Sequence, residues 1–544
     1  MAGWTGDQGE EEGQDTMTGD TRTTTRFDGG VTPPPASIAR IALGDILRRS
    51  ARRTPGNIAL VDGDRRVTYA ALDAMANRMA HELLARGAQK GERCATMMAN
   101  SVELVACLFA INRAGLVWVP INLMLEADDV DYTLTHAGVA HVLTEPAFAD
   151  HPALGAVARR LTLPVTVLEP GMAFCADQPA TEPDMPVDRD DIAAIIYTSG
   201  TTSRPKGAMH SHQSIYLAVM CDALEWSLTR DDRIPLQLPL FHCGGHVLLL
   251  AFLMVGGTCV LQRGFDAGEM LRVIEEEACT VVIGIPMMYA AMLDHPDMAH
   301  RSMASLRFGV HTMAPMYESL LRRMVERICP NFLLTSGQTE MYPITTLSRP
   351  DMSLKRFGNV WGESSLLCDL AIMGPDGQIL PDGEIGELVH RGPNVMAGYY
   401  RDQAATDETR SHGWHHTGDV GRITEDGEFE FLDRMKDMIK SGGENVSSMK
   451  VEAALLQCDG VEAAAAVGLP HPRWGEAVTA FVVPRAGHTP EAETILARLR
   501  DTLGGFQLPK RIEFVQSLPA TATGKMRKVE LRMAHADLYD RDTA

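Results

Sequence analysis

An apolar run, Ile192 to Ile196, is followed at once by Tyr197-Thr198-Ser199-Gly200-Thr201-Thr202-Ser203-Arg204-Pro205-Lys206-Gly207. This pairing constrains the chain more than any other feature. The apolar run reads as a buried strand. The stretch after it reads as a loop, because its glycines, proline and hydroxyl side chains disfavour helix and ladder alike. Such a loop gathers hydroxyls and free backbone N–H groups, and Lys206 adds a point charge. That combination suits a polyphosphate. A Walker A loop is excluded, because Pro205 precedes Lys206 and Gly207 follows it. Taken alone, the stretch is equally compatible with a solvated surface loop.

The surrounding pattern points to an α/β architecture. Tyr69 to Arg86 places Leu72, Ala76, Met79, Leu83 and Leu84 at helical spacing. Cys94 to Met98 reads as a strand, Val102 to Ala114 as a helix and Leu116 to Val119 as a strand. Cys259 to Leu261, Val281 to Ile285 and Phe308 to Val310 continue the rhythm as strands. Asp376 to Glu430 differs, with short apolar runs beside Asp376-Gly377, Asp382-Gly383 and Asp426-Gly427. Asp-Gly is good turn chemistry, so a β-rich subdomain is expected there. Beyond Asp437 a helix, two strands and a further helix suggest a separate α+β unit of roughly 100 residues. Residues 1–30 are acidic and poor in apolar groups, which predicts a disordered tail.

Acids outnumber bases 71 to 50, a formal charge of −21. A nucleic-acid coat or an anionic-membrane binder needs the opposite balance. The ten cysteines are scattered, without a Cys-x-x-Cys pair, which disfavours a zinc site or a disulfide framework. The longest strongly apolar run, Val247 to Val255, is far shorter than the roughly 20 residues needed to span a bilayer. A cytoplasmic protein with no membrane and no nucleic-acid partner is the expectation. Oligomeric state is left open.

The loop resembles the signature loop of the adenylate-forming superfamily, which includes acyl-CoA synthetases, beetle luciferases and nonribosomal adenylation domains. Further motifs of that family follow in order. They are Pro239-Leu240-Phe241-His242, Gly337-Gln338-Thr339-Glu340, the Thr-Gly-Asp within Trp414 to Asp419, Asp433-Arg434-Met435-Lys436-Asp437 and Thr523-Gly524-Lys525. The resemblance implies a large domain (31–435) of helix-covered sheets and a small mobile C-terminal domain (436–544), with the hinge near Lys436. It also implies two half-reactions. A carboxylic acid and ATP give acyl-AMP and pyrophosphate; coenzyme A then displaces AMP.

By the same resemblance, Thr198, Ser199, Gly200, Thr201, Thr202 and Lys206 would hold the β- and γ-phosphates. Glu340 would help hold Mg²⁺, and Thr339 would bond the α-phosphate. Ser336, Gly337 and Gln338 would line the nucleotide site. Asp419 would bond the ribose hydroxyls, and Arg434 the ribose or phosphate. Lys525 would stabilise charge as the acyl–phosphate bond forms. His242 would border the carboxylate and gate the thiol path. Ser441, Gly442 and Gly443 would admit the pantetheine arm once the small domain has turned.

Some positions depart from the family pattern. Ser203 stands where glycine is usual, Ser336 where an aromatic stacks on adenine, and Thr312-Met313-Ala314-Pro315 where a Gly-Gly-Ala-Pro-like segment is common. Ser448 and Lys450 replace a proline and an acid. An acyl-CoA ligase is therefore the leading expectation. A ligase that adenylates weakly and mainly thioesterifies a supplied acyl-AMP is the alternative. A free-standing adenylating enzyme with another acceptor is the second alternative.

Overall fold

The computed structural model describes residues 38, 40–198, 204–312, 316, 318–350, 360–520 and 526–539. Residues 1–39 form a unit distinct from Arg40–Ala544. The tail expected at 1–30 lies outside the described residues. The described strands and helices belong to the second unit.

Among the described residues the strands form four sheets. The seven-stranded sheet carries both strands that flank the hydroxyl-rich loop. Its strands Val117–Pro120, Arg93–Met97, Val139–Thr144, Val165–Val167 and Ile192–Thr198 are parallel. Lys206–Ser211 then returns antiparallel to Ile192–Thr198, and Gly398–Tyr399 pairs on its outer side. Each parallel step needs a crossover, which helices such as Val102–Arg113 supply. Ser101 starts that helix by accepting from Leu104 N–H at 3.2 Å. All twelve of its residues are buried. A helix buried on every side belongs between layers.

The layers on either side of it share one core. Ala194, Ile196 and Trp118 from the seven-stranded sheet join Leu248, Leu250 and Phe252 of the helix Cys243–Val255. The same cluster takes in Leu236, Leu261, Ile283 and Val310 from other strands. The apolar run Val247 to Val255 is thus a core helix.

The strands of the β-rich stretch join a longer sheet. Val281–Gly284, Phe308–Thr312 and Phe332–Ser336 run parallel, and Thr346–Ser348 turns the sheet antiparallel. Val360–Ser364, Phe429–Arg434, His415–Ile423, Gly386–Arg391 and Asp369–Met373 complete nine strands. The three Asp-Gly pairs do make turns, with Gly377, Gly383 and Gly427 at φ of 80°, 88° and 81°. Beyond Asp437 a five-stranded sheet carries one apolar cluster on each face. One includes Val451, Leu455 and Ile495; the other includes Leu469, Phe481 and Leu531.

Gly362 sits in the join of the long sheet. Its φ is +89°, and a Cβ there would lie 2.1 Å from the Leu347 carbonyl oxygen. That neighbour is backbone and cannot swing aside. Gly362→Ala is expected to cost about 3 kcal/mol or more, from left-handed strain plus overpacking. The check is the denaturant midpoint of the main unfolding transition.

Candidate active site

The turn Ser336 to Glu340 is the hub of the site. It leaves the parallel strand Phe332–Ser336 at its carboxyl end, where open α/β sheets bind ligands. Gly337 is required there, since a Cβ would lie 2.7 Å from the Pro343 ring. Ser336 Oγ and Thr346 Oγ1 share a hydrogen bond at 2.6 Å.

Gln338 ties this turn to the Thr-Gly-Asp strand. Its Nε2 donates to Thr417 O at 2.8 Å and to Asp419 Oδ2 at 3.2 Å. Asp419 is 2% exposed, and Arg434 Nε meets its other oxygen at 2.7 Å. Asp419 and Arg434 are cross-strand partners in the pairing of His415–Ile423 with Phe429–Arg434, so the sheet register places the pair.

Thr339 faces the start of the helix Cys243–Val255. Its Oγ1 lies 3.5 Å from Cys243 Sγ, beside the N-cap residue His242. The His242 ring packs against Phe241, tilted by 58°, and its buried Nε2 has no partner among the described residues. Burial pushes its pKa down to about 4, which keeps the ring neutral. Asn100 sets the approach to this helix by donating to Leu236 O and Leu238 O and accepting from Leu240 N–H.

Glu340 reaches the phosphate-loop hairpin through Tyr399. The Tyr399 hydroxyl donates to Glu340 Oε1 at 2.8 Å, and Lys206 Nζ lies 5.1 Å from the Tyr399 ring centroid. Burial, then the Glu340 charge, raises the Tyr399 pKa, so it remains a donor. Thr198 and Lys206 are cross-strand partners at the neck of this hairpin. Ser199, Gly200, Thr201, Thr202 and Ser203 between them lie outside the described residues, as do Met313, Ala314, Pro315 and Lys525.

The other predicted residues belong to the five-stranded sheet and its entry. Ser441-Gly442-Gly443-Glu444 is a tight hairpin, with Gly442 and Gly443 at φ of 63° and 89°. Two left-handed residues are what such a turn demands. Gly442 also packs closely on Trp474, whose ring lies 4.7 Å from the Arg473 guanidinium and 5.1 Å from Lys510 Nζ. Lys436 is half-buried, and burial lowers its pKa. Its neighbour Asp437 pairs with Arg532 at 2.6 Å.

Ser448 sits close by. Its N–H and hydroxyl both bond Asp433 Oδ2 at 2.6 Å, and Lys528 Nζ donates to its Oγ at 2.6 Å. A proline at this position has no N–H to make the first of these bonds.

Of the residues singled out in the sequence, Lys206, His242, Gln338, Thr339, Glu340, Asp419 and Arg434 lie around this one turn. The sequence reading missed Tyr399, Cys243 and Trp474. None of these three carries a motif, and only the folded neighbourhood singles them out.

Comparison with known proteins identifies the family. Residues 47–400 match the AMP-binding enzyme family and residues 450–525 match the AMP-binding enzyme C-terminal domain. A feruloyl-CoA synthase from Amycolatopsis sp is 38% identical, covering 90% of this chain and 98% of the relative. ATP-bound MatB from Rhodopseudomonas palustris superposes with a TM-score of 0.84 at 30% identity, covering 91% of this chain and 99% of that one. The o-succinylbenzoate CoA synthetase MenE from Bacillus subtilis, solved with its acyl-adenylate intermediate, gives 0.82 at 28% identity, covering 90% and 97%. MenE has also been solved with ATP and a magnesium ion. The chain belongs to the AMP-binding enzyme family.

Proposed function

We propose that the hub around Ser336 to Glu340 is where this AMP-forming acid–CoA ligase joins a carboxylic acid to AMP and then to coenzyme A. ATP, Mg²⁺ and coenzyme A are its co-substrates and cofactor, as the family and its relatives establish. The observation that carries the placement is the convergence of Lys206, Glu340, Thr339, His242 and Asp419 on one short turn.

In the first half-reaction a carboxylate oxygen attacks the α-phosphorus and the bond to the β-phosphate breaks. Two anions must approach each other, so charge neutralisation and positioning dominate. Thr198 and Lys206 hold the departing pyrophosphate at the hairpin neck. Asp419 accepts from the ribose hydroxyls, with Gln338 and Arg434 orienting it. Thr339 donates to the α-phosphate. Lys525 is proposed, from its motif alone, to meet the carboxylate.

No cluster of three or more His, Cys, Asp or Glu side chains suited to a metal occurs among the described residues. Glu340, with one oxygen taken by Tyr399, fits an Mg²⁺ that draws its other ligands from phosphates and water. When bound, that ion neutralises phosphate charge.

In the second half-reaction the thiol sulfur, its proton lost, attacks the acyl carbon and AMP leaves. The small domain turns about Lys436 to bring Ser441, Gly442 and Gly443 to the acyl-AMP. Arg473 and Lys510 beside Trp474 supply positive charge for the phosphates of coenzyme A.

His242 stays neutral above about pH 4 and so does not titrate in the working range. The expected pH profile of kcat/KM therefore has no His242 limb near the ordinary histidine value of about 6.5. His242→Ala is expected to lower the rate without moving the profile. A shifted acidic limb in that variant would remove His242 from this role.

The deciding experiment is a panel of carboxylic acids assayed separately for pyrophosphate release and for CoA thioester. Both signals with one acid support the ligase. Thioester only from synthetic acyl-AMP favours the weakly adenylating form, which Ser203 and Ser336 first suggested. Pyrophosphate without thioester favours another acceptor. No helix of the described residues is long and apolar enough to cross a membrane. The ten free thiols, nine of them buried, support a reducing cytoplasm as its compartment.

A further inference from the structure

Asp433 stands one residue before Arg434, which pairs with Asp419 in the proposed nucleotide site. The Asp433 carboxylate is 1% exposed and engaged at both oxygens. Oδ1 accepts from Arg434 N–H at 2.8 Å. Oδ2 accepts from the N–H and the hydroxyl of Ser448, each at 2.6 Å. Ser448 is fully buried, and its Oγ accepts in turn from Lys528 Nζ at 2.6 Å. Lys528 is 8% exposed and also pairs with Glu452 at 2.8 Å. The Ser448 hydroxyl thus spends its donor on a buried anion and an acceptor on a buried cation. Charge-assisted bonds of this kind are the strong ones.

These bonds cross the proposed hinge. Asp433 precedes Lys436, whereas Ser448, Glu452 and Lys528 follow it. Neighbouring residues extend the seam. Ser447 Oγ donates to Leu432 O at 2.7 Å, and Met449 packs against the cluster of Phe429 and Phe431. The proline common in the family at the place of Ser448 has neither the N–H nor the hydroxyl. The clasp therefore belongs to this chain rather than to the family pattern.

The clasp also selects which end of the small domain meets the nucleotide strand. Lys528 opens the helix Lys528–Ala534, three positions after Lys525 in the sequence. Just before it, Arg527 N–H donates to Pro519 O at 2.9 Å and Ala520 bridges Met526. The hairpin Ser441 to Glu444 bonds within its own sheet, with Gly442 N–H donating to Trp474 O at 2.8 Å. The clasped end is thus the one whose motif is assigned to the first half-reaction, and the pantetheine hairpin is assigned to the second.

We infer that Ser448 and Lys528 are positioning residues that hold the small domain in the orientation for acyl-AMP formation, and that the bonds from Ser448 to Asp433 part when the domain turns for the thioester step. The inference rests on the ligase reading and its hinge. A contact made in only one of two orientations shifts the balance between them by its differential energy. Removing it favours the second orientation, so the two half-reactions respond unequally.

The test uses the full chain, cinnamic and decanoic acids, and their synthetic acyl-AMPs. ATP–pyrophosphate exchange reads the first half-reaction. Thioester from supplied acyl-AMP and coenzyme A reads the second. Ser448→Pro removes both the N–H and the hydroxyl. Ser448 is the first residue of its helix and follows an extended Ser447, where proline is well tolerated. This variant is expected to lower the ratio of exchange to thioester by about tenfold or more, through loss of exchange alone. Ser448→Ala, which keeps the N–H, is expected to lower it by about threefold. Lys528→Met is expected to act in the same direction.

An unchanged ratio in Ser448→Pro overturns the inference. So does an equal loss in both halves, which is what a merely structural role gives. A wild type that forms thioester from acyl-AMP without exchange overturns it too, since no first half-reaction is then held. If Lys528→Met shows no melting transition, the two Ser448 variants supply the comparison. Absence of both signals with both acids overturns the ligase reading, and this inference with it.

Discussion

Replacing Glu340 by Gln is expected to lower ATP–pyrophosphate exchange by about a hundredfold or more, the size seen when one preorganised electrostatic group is removed from a transition state. Conversion of supplied acyl-AMP and coenzyme A to thioester should stay within about threefold of wild type, because that step carries no pyrophosphate charge to neutralise. The substitution keeps shape and keeps an oxygen to accept from Tyr399. It removes only the negative charge that would hold Mg²⁺ opposite Lys206. A raised Mg²⁺ requirement should accompany the loss. Exchange that survives at wild-type rate would move the metal away from Glu340, and equal losses in both halves would make the residue structural.

Mild acid should unfold the protein. Burial takes seven histidines to about 4 or below: His210, His212, His242, His311 and His390 to about 4, and His246 and His415 to about 3. Their unfolded value is about 6.5. Between these values the unfolded chain binds more protons than the folded one. Stability therefore falls as pH drops through that window, by up to about 1.4 kcal/mol per pH unit for each proton taken up on unfolding. Asp222 and Glu452, whose pKa values burial raises, act in the opposite sense.

Because seven protons outweigh two, the fold should be lost between about pH 6 and 4. Far-ultraviolet circular dichroism and tryptophan fluorescence across this range are the measurement. His390→Phe should move the midpoint to lower pH, since a phenyl ring takes no proton. A midpoint that ignores the histidine substitution would show that carboxylates, not these rings, govern acid stability.

The strands and helices near the site were legible because their signals are local. Val102 to Ala114 read as a helix and folds as Val102–Arg113, capped by Ser101. The Asp-Gly turns read correctly because only a residue at ease with positive φ closes them. Asp419, Arg434, Glu340 and His242 were found through ordered motifs. Their meeting was not derivable from spacing, since Gln338 and Asp419 are 81 residues apart in the chain. Tyr399 illustrates the limit. Its role as the bridge between Lys206 and Glu340 depends on a two-residue strand docking on another sheet edge, which no pattern of period two can show over so short a run.

The chain by itself determined which chemistry is on offer: a hydroxyl-rich loop at a strand end, a buried-type aspartate after Thr-Gly, and a glutamate beside a threonine. Residue type and local order carry that information. Tertiary structure alone decided where these groups stand and which are left unpaired. Asp433, Ser448 and Lys528 stand 15 and 80 residues apart in the chain, and become one run of bonds only when the helix Ser448–Leu455 packs on the strand Phe429–Arg434. The reason is physical: hydrogen-bond capacity belongs to a side chain, but its satisfaction belongs to the neighbours that folding brings.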